Sequence, residues 1–260
     1  MDLAAALHAY EKAVLASRPL AWWRLGEKTG PTAFDAMQKH DGKYHGNVIF
    51  GQTGAVKHDA NSAVELPGTA CVEVPDSAAF SQPTSGQGLS IEAWMRPDKD
   101  LAFDGEGKRP QGPYVHWLGK GDDGQQEWAL RFYSSKSEER PSWVSAYLFS
   151  PAGHLGAGAH FTGPVKARQW LHVVACYDPG DMSTADAGVR LYINGVLRQG
   201  PPASGTRYSS FGIVPGNGTA PVRLGTRDLA SFLHGRLDEV AIYPRVLPAS
   251  EVLAHYNAAQ

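Results

Sequence analysis

No apolar run in the 260-residue chain approaches the roughly 20 residues that a membrane-spanning helix requires, so no helical span is expected. Basic residues are not in excess, with 24 Lys and Arg against 26 Asp and Glu. A formal net charge of -2 leaves little to track a phosphate backbone, and no nucleic-acid partner is expected. Cysteine is scarce. Cys71 and Cys176 each sit in an apolar, strand-like run and are expected as buried free thiols; the alternative is a bridge, whose geometry a sequence does not supply. The opening MDLAAALHAYEKAV lacks a basic segment, an apolar core and a small-residue cleavage site. It is not expected to be a Sec signal, so the protein is expected to stay where it is made, leave by another route or have lost its signal.

What the chain does have is turn chemistry around a large apolar complement. It carries 29 Gly and 18 Pro, is 42% hydrophobic and only 19% charged, and shows no linker or repeat. Such a composition predicts a single all-β sandwich or barrel over residues 1–260. Short strands bounded by Gly, Pro, Asn or Asp are predicted at 20–25, 63–66, 71–74, 89–95, 114–118, 127–133, 142–149, 170–177, 189–193 and 222–224. Asn194-Gly195 predicts a hairpin, because both central positions of a type I′ turn need positive φ. Trp22 and Trp23 point to opposite faces of the first strand, one into the core and one to a rim or sheet face. Apolar stripes predict helices at 3–17 and 248–258. Residues 34–50 read as a polar, turn-rich passage, and 98–113 and 200–218 as long loops.

Residues 232–243, FLHGRLDEVAIY, predict a late core strand with Asp238 and Glu239 planted in its middle. Burying an unpaired carboxylate costs several kcal/mol, so the pair calls for a cation at the strand's edge. In the 34–50 passage Asp35 is the better metal candidate, while His40 and His45 read as solvated loop residues. No Gly-x-Ser-x-Gly and no Cys/His pairing is evident, and Ser137, Glu138 and Glu139 read as part of a solvated charge cluster.

Taken in order, the pieces AVLASRPLAWWRLGE, FD followed by DGKYHG, SIEAWMRP, QWLHVVACYD, VRLYINGV, VRLGT, HGRLDEVAIYPRVLPASEV and AHYNA resemble the laminin G-like, concanavalin A-like lectin/glucanase superfamily over almost the whole chain. The resemblance implies a jelly-roll sandwich of two antiparallel sheets with short helices at both ends. That superfamily holds hydrolases as well as binding modules, and its retaining glucanases carry E-x-D-x-E on one strand, so that two glutamates share a face. This chain has no such motif, and Asp238 and Glu239, as neighbours on a strand, are expected on opposite faces. No enzyme is expected.

Two functions remain. One is a lectin-like module recognising carbohydrate or a cell-surface partner, for which Trp117, Trp128, Trp143 and Tyr147 in the middle strands are the candidate platform. The other is a structural or attachment protein of an assembly such as a phage virion, which the missing Sec signal favours. The resemblance also implies a structural calcium ion between Asp35 and Asp238, completed by the 38–41 loop with His40 and Asp41. Met37 and Lys39 depart from the small or amide residues usual in that loop, and a lysine ammonium can stand in for the ion. The alternative is that Asp35 caps a turn while Asp238 pairs with Arg236 or Arg245.

Overall fold

The structure is a computed structural model, and it describes residues 8–81, 88–98, 114–122, 124–136, 141–149, 156–161, 163, 165–178, 188–197 and 216–260. Helix α1 (Ala9–Ala16) leads into β1 (Ala21–Trp23), β2 (Thr32–Ala33), β3 (Gly42–His45), β4 (Ile49–Thr53), β5 (Ser62–Pro67) and β6 (Cys71–Val74). The middle strands are β7 (Leu89–Pro97), β8 (Tyr114–Lys120), β9 (Trp128–Tyr133), β10 (Val144–Phe149), β11 (Gly156–His160) and β12 (Leu171–Tyr177). The chain closes through β13 (Val189–Ile193), β14 (Val196–Leu197), β15 (Val222–Leu224), β16 (His234–Tyr243) and α2 (Ala249–Ala258).

These strands form two antiparallel sheets. The first runs β14-β13-β12-β7-β16-β5-β4 with β1 added on β16; the second runs β11-β10-β9-β8-β15-β6-β3-β2. Alternation drives their packing: Leu130 and Phe132 of β9, Val144, Ala146 and Leu148 of β10, and Ile91, Ala93 and Met95 of β7 all turn into the core between the sheets. Of the sandwich or barrel expected from composition, a sandwich forms, and it is the two-sheet jelly roll that the family resemblance implies. Asn194 and Gly195 both take positive φ, 52° and 76°, and Ile193 pairs with Val196 across the turn.

A second apolar layer covers the outside of the first sheet. Tyr10 and Val14 of α1 and Val252 of α2 pack with Trp22, Trp94, Val174, Tyr192 and Tyr243. Trp23 faces the inter-sheet core and Trp22 faces this helix layer, so both indoles are buried and neither lies on a rim. The terminal helices adjoin each other, as their stripes predict; residues 3–7 of the first expected helix lie outside the described residues. Cys71 and Cys176 are buried free thiols, on β6 and β12 of different sheets. Strands β3, β4 and β11 were not expected, since GKYH and IFGQT lie in a polar passage and GAGAH lacks β-branched and aromatic residues.

Candidate functional site

The helices seal one outer face of the sandwich, so side chains that can meet a ligand on a sheet lie on the other. Register across β8, β9, β10 and β11 aligns His116, Arg131, Ser145 and His160 in one row of the second sheet's outer face. The neighbouring row holds Tyr114 and Tyr133, with Trp143 bonded through its carbonyl to the Tyr133 amide. Arg131 is the hub. Its guanidinium lies over the rings of Tyr147 at 4.5 Å, Tyr114 at 4.6 Å and Tyr133 at 5.5 Å, and its Nε–H donates to Ser145 Oγ at 3.1 Å. Trp143 stacks on His160 with centroids 4.9 Å apart and planes 13° from parallel. Tyr114, Trp143 and Tyr147 keep part of their surface accessible.

His116 lies beside this hub and is almost wholly buried, with Nδ1 3.5 Å from an Asp228 carboxylate oxygen. Burial, and then the positive charges of Arg227 and Arg131, push its pKa well below the ordinary value, so the ring is neutral at physiological pH. The face therefore combines aromatic rings, a cation and a neutral imidazole.

Of the four aromatic residues expected as a platform, only Trp143 and Tyr147 lie on this face. Trp117 and Trp128 belong to the inter-sheet core at 0% and 1% exposure, and the Trp128 indole N–H donates to the Phe80 carbonyl at 2.8 Å. Strand parity sends Trp128 inward with Leu130 and Phe132, while Trp117 lies at a register shift in β8, where both it and Leu118 face the core. The same parity turns the missed residues to the outer face, where both are largely buried, because Arg131 and Tyr133 alternate with that apolar set in WALRFY.

The expected calcium ligands are not brought together. Asp35, held beside Trp23 by an isolated bridge, accepts backbone N–H groups only: Trp22 at 2.8 Å and Met37 at 2.9 Å on Oδ1, Lys39 at 3.1 Å and His40 at 3.0 Å on Oδ2. Four amides aimed at one carboxylate leave no lone pair for a cation, so Asp35 does not fit calcium; it caps a turn. Asp41 Oδ1 accepts the Asp35 amide, and the His40 ring packs edge-on against Phe80 at 4.6 Å. None of these donors reaches Asp238, and among the described residues no three His, Cys, Asp or Glu side chains converge as metal ligands.

Asp238 lies in a different environment, and Glu239 joins it on the same side. A register shift between Asp238 and Ala241, with Glu239 at φ 51°, breaks the alternation that would have separated the two carboxylates. Asp238 Oδ1, Glu239 Oε1 and the Arg24 carbonyl all accept from the Asn61 side-chain amide, at 3.3, 3.0 and 2.9 Å. Arg24, rather than Arg236 or Arg245, supplies the countercharge, with Nη2 3.0 Å from Glu239 and 2.7 Å from Asp59. Both carboxylates are 1% exposed or less, which denies them a substrate.

A Ser–His–Glu alignment occurs where the helices meet the first sheet. Ser17 Oγ lies 2.9 Å from His255 Nε2, and His255 Nδ1 lies 2.9 Å from Glu92 Oε2. The polarity is wrong for a nucleophile: the Ser17 hydroxyl donates to Glu251 at 2.6 Å and so accepts from His255, and all three residues are buried. The alignment is a structural clamp.

Comparison with known proteins agrees with this architecture. The family model described as concanavalin A-like lectin/glucanases superfamily matches residues 66–253. Domain 4 of AbnA, a GH43 extracellular arabinanase from Geobacillus stearothermophilus solved with arabinotriose, superposes with a TM-score of 0.60 at 18% identity, covering 93% of this chain and 98% of that one. The botulinum neurotoxin serotype D ligand binding domain solved with N-acetylneuraminic acid gives 0.61 at 13% identity, over 94% of this chain. The chain spans about half of that domain, 52% of its length. A Trypanosoma rangeli sialidase gives 0.57 at 15% identity, over 92% of this chain and 32% of the sialidase. At these identities the likeness is one of fold. None of the curated proteins matches the chain.

Proposed function

The chain belongs to the concanavalin A-like lectin/glucanases superfamily, and from that premise we propose that it is a non-catalytic, lectin-like module that binds a glycan on the outer face of its second sheet. The observation that carries this is the Arg131 hub with Tyr114, Trp143 and Tyr147 partly accessible around it, on the face the helices leave uncovered. Aromatic rings stack on the apolar faces of sugars, and the buried Arg131 beneath Tyr114 and Tyr147 holds those rings in place at small entropic cost. The saccharides in the arabinanase and neurotoxin complexes support a glycan as one class of ligand, beside the synaptotagmin II bound by another neurotoxin domain of this fold.

A glycan array tests the reading, with Trp143→Ala and Tyr147→Ala as controls. Retention of one saccharide class, weakened about tenfold by either substitution at an unchanged melting temperature, is expected from the loss of one stacking partner worth about 1–1.5 kcal/mol. A blank array, with the protein instead taken up into a particle, favours a structural role in an assembly.

Calcium enters the proposal only at Asp238. Two buried carboxylate oxygens and a backbone carbonyl that share the Asn61 amide have the hard-oxygen chemistry that the ion takes, although the Glu239 oxygen also accepts from the Arg24 guanidinium, which the ion would have to displace. Added calcium is then expected to raise the melting temperature by mass action, and Asp238→Asn to abolish the rise. A melting curve indifferent to both calcium and chelator removes the ion from the account.

A further inference from the structure

At the end of the second sheet a cleft of about 360 Å³ opens between residues 124–127, in the turn joining β8 to β9, and residues 216–219, which lead into β15. Its size falls within the roughly 300–1,000 Å³ of small-molecule sites. Its lining is unlike that of the Arg131 face: among the described residues it consists of three glycines, two glutamines, an asparagine, a threonine and a glutamate, with no aromatic or aliphatic side chain. Glu127 directly precedes β9 and Arg131 lies within it, four positions on and about 13 Å away at the usual rise, so cleft and hub are separate places on the surface.

The walls are pinned together from beneath. Lys120, 0% exposed, donates from Nζ to Glu127 Oε1 at 2.5 Å, to the Gly218 carbonyl at 2.9 Å and to Asp76 Oδ1 at 2.9 Å. The Gly218 amide returns to Glu127 Oε1 at 3.1 Å. One buried ammonium thus uses its three protons to tie the β8–β9 turn to the incoming segment of β15, so the cleft is built before any ligand arrives. Apolar packing would hold two loops together without the desolvation that a buried ion pair costs. Among the described lining residues Glu127 is the one ionised side chain, with Lys120 and Asp76 paired behind it, and this leaves an excess of negative charge that disfavours anions. Amide side chains such as Gln125 and Asn217 offer both donors and acceptors, the complement of hydroxyls that are both as well. Glycine keeps the space open: around a Cβ built on Gly216, the one atom of the described residues within 4 Å is Glu127 Cγ, at 4.0 Å.

We infer that this cleft is a second binding subsite, selective for neutral polyhydroxylated ligands such as an uncharged saccharide unit, recognised by hydrogen bonds alone. It shares with the Arg131 reading only the class of ligand, so either site can fail without the other. Without a stacking platform its affinity is weak, in the range that NMR titration reads.

The test is a titration of the 15N-labelled protein with arabinotriose, maltotriose and xylotriose as neutral probes and sialyllactose as the anionic one. At least one neutral probe is expected to move the amide signals of Gly124, Gln125, Gly216, Asn217 and Gly218, while sialyllactose leaves them in place. Gly216→Phe fills the cleft at a position that accepts a side chain, and is expected to weaken that response at least tenfold at an unchanged melting temperature. Asn217→Ala, which leaves the Lys120 tie intact, is expected to weaken it severalfold. Trp143→Ala must leave the cleft's response unchanged, which separates this site from the hub. Amides that no neutral probe moves, that sialyllactose moves equally, or that respond undiminished in Gly216→Phe overturn the inference.

Discussion

Glu92→Ala will destabilise the protein by about 3–5 kcal/mol, because it strands a set of buried donors that converge on one carboxylate. Tyr10 Oη and His172 Nε2 reach Oε1 at 3.1 and 2.7 Å, while Tyr243 Oη and His255 Nδ1 reach Oε2 at 2.6 and 2.9 Å. A carboxylate only accepts, so all four groups donate, and between them they come from α1, β12, β16 and α2. Glu92, on β7, is therefore the point through which both terminal helices and two further strands are tied to the first sheet. The substitution removes the acceptor without filling its volume. Glu92→Gln, which keeps the volume but turns two acceptor positions into donors, is expected to lose somewhat less. Equilibrium denaturation of both variants measures this, and a loss under 1 kcal/mol for Glu92→Ala would show that the helices dock on apolar contact alone.

The same network fixes a pH dependence. Burial works against the ionised form of Glu92, yet His255 and His172 outweigh it and hold the carboxyl well below its ordinary 4.5. Stability from that shift is present above pH 4.5 and is lost as the pH falls further. His255 runs the other way: burial lowers its pKa, but Glu92 outweighs burial and raises it above the ordinary 6.5. Its contribution is complete below pH 6.5 and is lost as the pH rises through the raised value. Helix docking is thus strongest in mildly acidic solution.

Much of the fold is legible in the sequence, because β-branched and aromatic runs broken by Gly, Pro and Asn-Gly carry a local signal. Strands β6, β13 and β15 lie where the pattern puts them, and β12 differs from its expectation by the single residue Trp170. The site was less legible, and the reason is long-range. Trp128 and Trp143 look alike in a list of aromatic residues, and only their parity against Leu130 and Val144 sends one inward and the other to the surface. The row His116–Arg131–Ser145–His160 depends on the registers of four strands, which no local run of residues specifies. Asp238 and Glu239 were separable on paper because strands alternate. One bulge, invisible in the letters DEV, reverses that conclusion and creates the buried acidic pair.

That pair sets the second large effect. Arg24→Ala is expected to cost about 3–5 kcal/mol near pH 8, since it leaves Glu239 buried beside Asp238 without the guanidinium that faces it. Burial pushes the Glu239 carboxyl up to about 7 even against the pull of Arg24, and burial and Glu239 together push Asp238 well above its ordinary value. For a carboxylate raised in the folded state, the folded protein holds its proton more tightly than the unfolded chain does. Stability is then greatest below pH 4.5 and falls as the pH climbs through about 7. Removing Arg24 raises Glu239 further, so the deficit of the variant is expected to shrink markedly between pH 8 and pH 5, where a proton replaces the lost cation. Arg24→Lys keeps a charge without the fork that spans Glu239 and Asp59, and is expected to lie between wild type and alanine. Denaturation of the three proteins at both pH values, in chelator so that no divalent ion substitutes for the guanidinium, measures the coupling. An alanine deficit equal at pH 5 and pH 8 would mean that Arg24 stabilises through its contact with the Trp22 ring at 5.1 Å rather than through the carboxylates it faces.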